Sequence, residues 1–349
     1  MKPFSCVCGN MLFFDNTVCL SCGREVGWCP ACAAVRALEP AGDGLYRCTA
    51  PSCGHLLVKC ANYAREGVCN RCVDAGEGHP GLEPLCDCCR FNATIPDLSV
   101  TGNRERWARI EAAKRRLIYV LDLLGLPYGG AADGFEPPLS FDFKGDVVPA
   151  GAWRPVVDEE RVYTGHQDGR ITINIREADD LEREKLRVDL GEAHRTLVGH
   201  FRHEIGHYYW DLLIRGRRED DFRRLFGDHD NPPYTEALER HYRDGPPADW
   251  ALRFISSYAS MHPWEDWAET FAFYLDIVSV LETASHMGVG RAVSFDDLQP
   301  MLGTFAAVGV AANEMNRTMG LTDLVPELIT PPVAEKLGFV HETVRSAHA

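Results

Sequence analysis

The chain has 349 residues, a mass of 38.9 kDa, 45% hydrophobic and 25% charged residues, the balance of a folded globular protein, which excludes wholesale disorder. Thirty-six Lys and Arg against 51 Asp and Glu leave a net charge of −15, so phosphate backbones and anionic membrane surfaces are repelled by the chain as a whole. No run approaches the roughly 18 apolar residues of a membrane span. The most apolar, Phe271 to Leu281, is interrupted by Asp276. Residues 1–16 lack the apolar core of a secretory signal, and the expected location is cytoplasmic.

The cysteines divide the chain. All 14 lie between Cys6 and Cys89, and the 260 residues that follow have none. A composition break this sharp predicts a boundary, with one module at 1–95 and a second domain at 96–349. In a reducing compartment such thiols serve metal rather than disulfides. Their spacing supplies sets of four: Cys6, Cys8, Cys19 and Cys22, then Cys29, Cys32, Cys48 and Cys53, then Cys60, Cys69, Cys86 and Cys89. Four thiolates suit the tetrahedral preference of Zn2+. Gly after Cys8, Cys22 and Cys53 suits knuckle turns whose amides face sulfur. Cys72 and Cys88 are surplus and allow other pairings around the third set, so two to three structural zinc ions are expected. A segment this short buries little apolar area, and metal must supply much of its folding free energy. The competing reading is a redox-active Cys cluster.

Beyond the cysteines, Trp107, Ile110, Ile118 and Leu121 predict a helix from Glu105 to Leu124 with that face buried. Phe141-Asp142-Phe143 and Ile171 to Ile175 read as strands, and the acidic run Glu177 to Glu184 as a solvated loop or helix start. From His194 the sequence is HRTLVGHFRHEIGHYYWDLLI, in which Leu197, Phe201, Ile205, Tyr208 and Leu212 make a helical stripe. His203 and His207 are four apart and project from another face, one turn from each other. With Glu204 beside His203 this is H-E-x-x-H: two imidazole ligands for Zn2+ and a carboxylate as general base. The bland alternative is a buried helix whose His residues are only hydrogen-bonded.

A catalytic zinc takes three protein ligands and keeps one position open. The metzincin pattern is excluded, because Trp210 and Leu213 stand where its Gly and third His belong. A second helix is predicted in YASMHPWEDWAETFAFYLDIVSVL, residues 258–281, from the stripe Trp264, Trp267, Phe271, Tyr274 and Val278 and from Pro263 at its first turn. Glu265 and Glu269 share a face. Glu265 is assigned as the third ligand, and Glu269 as the group that holds a His ligand through its other ring nitrogen, as in glutamate-zincins. Glu269, Asp266 and His262 remain alternative third ligands.

The chain resembles the bacterial zinc-binding metallopeptidases that carry an N-terminal zinc ribbon. The resemblance rests on FSCVCGNMLFFDNTVCLSCG, LCDCCRFNATIPDL, RTLVGHFRHEIGHYYWDLL and YASMHPWEDWAETFAFYLDI, which are spread from residue 4 to residue 281. It implies a gluzincin-type peptidase. The first knuckle departs from that pattern as Cys-x-Cys, and a second ribbon at Cys29–Cys53 is extra to a one-ribbon member.

The expected fold class is α+β, a mainly helical zincin-like domain with a small sheet behind a zinc-ribbon module. The expected chemistry is peptide-bond hydrolysis with one catalytic zinc. The metal lowers the pKa of bound water towards about 7, and Glu204 takes its proton and passes it to the leaving amine. Tyr258, seven residues before Glu265, is the candidate oxyanion donor, placed like the transition-state tyrosine of some gluzincin toxins; a core tyrosine is the alternative. Tyr208, Tyr209 and His200 adjoin the site and read as packing groups or as supports of the metal ligands. Residues 227–249 look like an irregular insertion that could line the cleft, residues 296–319 like a helix, and Pro331-Pro332 like punctuation before a short helical tail. Partners are a peptide or protein substrate and a protein recruited by the ribbons, which could instead occlude the cleft. Two rival readings are a zinc-binding interaction protein without turnover and a nucleic-acid-associated protease. Glu204 speaks against the first and the net charge against the second.

Overall fold

The computed structural model describes residues 1–76, 84–146, 162–183 and 196–347; His194 and Glu184, at the ends of two expected segments, lie outside them. The chain divides into two units, and the first takes in Met1–Ile118, Ser140–Thr164 and Thr172–Leu197.

The first unit opens with a small antiparallel pair, β1 (Phe4–Ser5) and β2 (Met11–Leu12). A five-stranded antiparallel sheet follows in chain order: β3 (Val26–Cys29), β4 (Ala34–Gly42), β5 (Leu45–Cys48), β6 (Leu56–Lys59) and β7 (Cys72–Asp74). Cysteines stand at strand ends and in the turns, and the knuckle glycines Gly9 and Gly23 take φ of 87° and 71°, a region L side chains avoid. The core between the turns is small. Phe4 and Phe14 meet Trp28 edge-on at 6.0 and 5.5 Å, and the Arg71 guanidinium lies 5.1 Å over the indole. The short helix α1 (Ala61–Ala64) contributes Tyr63, whose hydroxyl donates to the Val26 carbonyl at 2.7 Å.

Helix α2 (Asn103–Leu124) buries Trp107, Ile110, Ile118 and Leu121 as its periodicity requires. It also buries a charge pair that periodicity does not reveal. Lys114 Nζ lies 2.9 Å from Glu111, and the Trp107 indole and the Asn92 amide donate to the same carboxylate at 3.0 and 2.6 Å. A buried ion pair persists only when its remaining polar atoms are bonded, as here. Strand β8 (Asn92–Thr94) runs parallel to β9 (Ser140–Lys144), which lies between β8 and residues 172–174 of β11 (Arg170–Asn174). Of the two expectations for the acidic run, the helix start holds and the solvated loop does not. Glu177 is buried and accepts from the Thr164 hydroxyl at 2.6 Å, and a helical turn begins at Asp180.

The second unit comprises Tyr119–Leu139, Gly165–Ile171 and Val198–Ala349. Strand β10 (Gly165–Gln167) precedes a tight turn at Asp168-Gly169. Helix α3 (Leu197–Tyr209) continues into a wider π-type turn over Trp210–Ile214. Helices α4 (Glu219–Phe226) and α5 (Tyr234–Asp244) follow. Residues 227–249 are therefore not an irregular insertion throughout, since α5 fills their middle. Helix α6 (Pro263–Met287) is the centrepiece. His262 caps its start, Pro263 occupies the first turn, and Gly288 in the left-handed region ends it. Trp267 on α6 packs with Phe222 and Phe226 of α4, with Phe339 and with Phe271 one turn along its own helix. Helix α7 (Leu298–Thr318) is capped by Asp297. Pro331-Pro332 begins α8 (Pro331–Ser346) rather than merely punctuating the chain, because a helix start needs no amide proton. Among the described residues no helix is long and apolar enough to cross a membrane.

Chelation is expected to unfold the cysteine-rich segment while α6 keeps its structure, because the segment's apolar core is small. Hydrogen exchange against chelator concentration measures this, and protection retained at residues 26–74 after metal removal would contradict it.

Candidate metal centre

The H-E-x-x-H spacing does what a helix makes it do. His203 and His207 lie on one face of α3 with ring centroids 4.9 Å apart and Nε2 atoms 3.2 Å apart. Helix α6 brings Glu265 to them: Oε2 is 3.0 Å from His203 Nε2 and Oε1 is 3.6 Å from His207 Nε2. Glu269, one turn later, sits on the other side of His203, with Oε1 2.7 Å from Nδ1.

The approach of the two helices depends on Gly206. A Cβ there would lie 2.9 Å from the Ala268 Cα, and the Gly206 carbonyl accepts from the Trp267 indole at 2.8 Å. On the outer side of the pair, Arg202 donates to Ser279 Oγ at 2.7 Å and pairs with Asp276.

The group fits a divalent cation. Ligand bonds of about 2.0–2.2 Å to N and O imply ligand–ligand separations of about 3.4 Å in a tetrahedron; the two imidazole nitrogens lie 3.2 Å apart, Glu265 Oε2 lies 3.0 Å from that of His203, and one ligand atom from each of the three residues falls within 4.8 Å of the others. The electrostatics agree. Burial alone would push His203 down, yet Glu265 and Glu269 hold it well above its usual range, so the pocket calls for positive charge beside that ring. Burial opposes ionisation of Glu265, but His207 and His203 outweigh it and hold the carboxyl well below the usual range. Glu204 differs. It is 7% exposed, and burial raises its pKa.

The four-cysteine groups pass the same test. Zinc–sulfur bonds of about 2.3 Å imply an edge of about 3.8 Å. Sulfur pairs lie at 3.7 Å in Cys6/Cys8/Cys19/Cys22, at 3.7 and 3.8 Å in Cys29/Cys32/Cys48/Cys53, and at 3.9 Å in Cys60/Cys69/Cys86/Cys89. Cys72 and Cys88 are buried and belong to none of the three groups.

The alternative third ligands stand elsewhere. Asp266 is buried 2.5 Å from Lys336, and His262 spends Nδ1 on the Trp264 amide at 3.2 Å. Tyr258 starts a short 3-10 turn, with its ring centroid 6.0 Å from that of His203. Tyr208 and Tyr209 are buried, as packing groups are. Two neighbours were not foreseen. Tyr234, at the start of α5, donates to Glu265 Oε1 at 2.9 Å. His166, on β10, stacks on His207 with centroids 6.2 Å apart, and burial with the His207 charge pushes it down to about 3. It accepts the Gly169 amide through Nε2 at 3.0 Å. Neither carried a local signal: one is a tyrosine in a Pro-rich stretch, the other a lone His beyond the helix motif. A further group, Asp228/His229/Asp230, is already engaged by Arg223, 2.6 Å from Asp230.

Comparison with known proteins agrees with this geometry. The family described as "Putative zinc-binding metallo-peptidase" matches residues 103–343, and a zinc-ribbon domain matches residues 3–100. Uncharacterized proteins of Mycobacterium bovis and of two strains of Mycobacterium tuberculosis are 38% identical to the chain over 356 residues, covering 99% of it and 95% of their own length. No solved structure matches the chain.

Gly206→Ala is expected to force α3 and α6 apart, at a cost of about 1–3 kcal/mol, and to weaken metal retention. Thermal unfolding with metal analysis reads both effects, and unchanged values would show that the helices can separate freely.

Proposed function

The chain belongs to this zinc-binding metallopeptidase family, and on that premise we propose that it hydrolyses peptide bonds at the His203–His207–Glu265 centre, with Glu204 as general base. The observation that carries the proposal is the buried Glu204 carboxylate on the same helix as two imidazoles that converge on Glu265. His203, His207 and Glu265 would hold Zn2+, which when bound supplies Lewis acidity and an acidified water. Glu204 accepts the proton released by the attacking water and returns it to the leaving amine; its raised pKa suits an acceptor that must also donate. Glu269 fixes the ring of His203 through Nδ1. We assign Tyr258 as oxyanion donor on its position beside His203.

The gluzincin assignment follows from the carboxylate third ligand on a separate helix. We divide the protein into a ribbon module at 1–95, holding three zinc ions in its four-cysteine groups, and a peptidase domain at 96–349. The ribbons would serve recruitment of a protein partner. The first carries exposed Phe13 and Leu20, a composition suited to protein contact. A non-catalytic zinc protein is the second reading, and Glu204 argues against it, since a structural site has no use for a buried carboxylate beside its two imidazoles.

Glu204→Gln is expected to keep its metal and lose turnover by about 10²–10⁴-fold. Proteome-wide cleavage profiling of both proteins, with zinc analysis, decides the matter; equal cleavage would remove Glu204 from the mechanism.

A further inference from the structure

Glu265 has two oxygens and they are not equivalent. Oε1 accepts the Tyr234 hydroxyl at 2.9 Å and stands 3.6 Å from His207 Nε2. Oε2 is buried, accepts no such hydrogen bond, and faces His203 Nε2 at 3.0 Å. A carboxylate free to rotate can clasp a cation with both oxygens, and the second bond would occupy the position that a hydrolytic centre keeps open.

We propose that Tyr234 is a positioning residue that makes Glu265 a one-oxygen ligand. Its hydroxyl ties up Oε1, turns the carboxylate plane and leaves Oε2 for the metal. The inference rests on the metal-centre reading above and adds to it a determinant of coordination number.

Three features hold Tyr234 in place. It is the first residue of α5, so its backbone is set by the helix start. Its ring packs edge-on against His262 at 5.3 Å and beside Trp264 at 6.2 Å. Its hydroxyl also interacts with that of Tyr258. His262 thus acquires a role other than ligation. Its ring caps α6 through Nδ1 and buttresses the tyrosine that orients Glu265, three residues further on. The same arrangement links the Tyr258 hydroxyl to the Glu265 carboxylate by way of Tyr234.

The test exchanges the metal of this centre for Co2+ with a mild chelator while the four-cysteine groups keep zinc. The visible spectrum then reports coordination number. Wild type is expected to show the intense bands of a four-coordinate ion. Tyr234→Phe is expected to show the weaker bands of five-coordination and about tenfold lower cobalt affinity. Spectra and affinities identical in the two proteins would overturn the inference. His207→Ala serves as the control for the underlying reading. If its cobalt spectrum equals that of wild type, the metal is bound elsewhere, and it is the reading of the centre that falls. X-ray absorption at the cobalt edge needs no variant. A single short carboxylate oxygen in wild type supports the inference, and two equivalent ones overturn it.

Discussion

The centre depends on how closely two helices can lie. Two imidazoles on α3 and one carboxylate on α6 meet at about 3 Å only if the backbones approach to near contact, which a side chain at position 206 would prevent. Gly is poor in a helix interior by about 1 kcal/mol, so its place in α3 is explained by packing. The Trp267 indole donating to the Gly206 carbonyl closes the same contact from α6, and the aromatic cluster beneath it supplies the apolar burial. The wider turn at Trp210–Ile214 follows directly. It carries Trp210 against Phe222 and Trp264, and it ends the helix just past the second imidazole.

Once the helices are that close, charge decides the rest. Glu265 and Glu269 flank one ring of His203, leaving a buried pocket rich in negative charge and lone pairs. Such a pocket is unstable unless a cation or a shared proton occupies it. At Glu204, by contrast, desolvation outweighs the pull of His203 and His207, and the shift runs the other way. Two carboxylates near one centre are driven apart in pKa by their surroundings, which is the division that the proposed roles of ligand and base require.

The sequence made the two metal-bearing patterns legible because each is local. A four-residue step on a helix places two rings on one face whatever the rest of the chain does, and Cys-x-x-Cys closes a turn on its own. The helix of Glu265 could be read from Pro263 and the aromatic stripe. What could not be read is what depends on long-range placement. Tyr234 reaches Glu265 across 31 residues, and His166 reaches His207 from a strand far upstream. The buried pair Glu111–Lys114 looks on a helical wheel like an ordinary solvated i,i+3 pair. Glu177 in its acidic run hides in the same way, since charge patterning reports average solvation and not the hydroxyl that waits for one carboxylate.

The three cysteine groups differ in a way their spacing conceals. In the third, all four residues are buried, whereas Cys8 and Cys22 of the first are exposed. A zinc ion with four thiolates carries a net charge of −2, and burying that requires compensation. The surroundings provide it. Hydrogen bonds from Cys60, Cys86 and Cys89 draw the Cys69 thiol down, with the Arg115 charge adding to them, and Arg71 lies buried beside Cys86 and Cys88 with its NH1 2.6 Å from Asp87. Arg115 belongs to α2, the helix that follows the cysteines in the chain, so the third group is built from both the cysteine-rich segment and the helix after it. The compact unit that holds the cysteines takes in residues 103–118 of α2 as well. In the first group the guanidinium of the exposed Arg24 lies 3.9 Å from the exposed Cys22, so charge there is met at the surface.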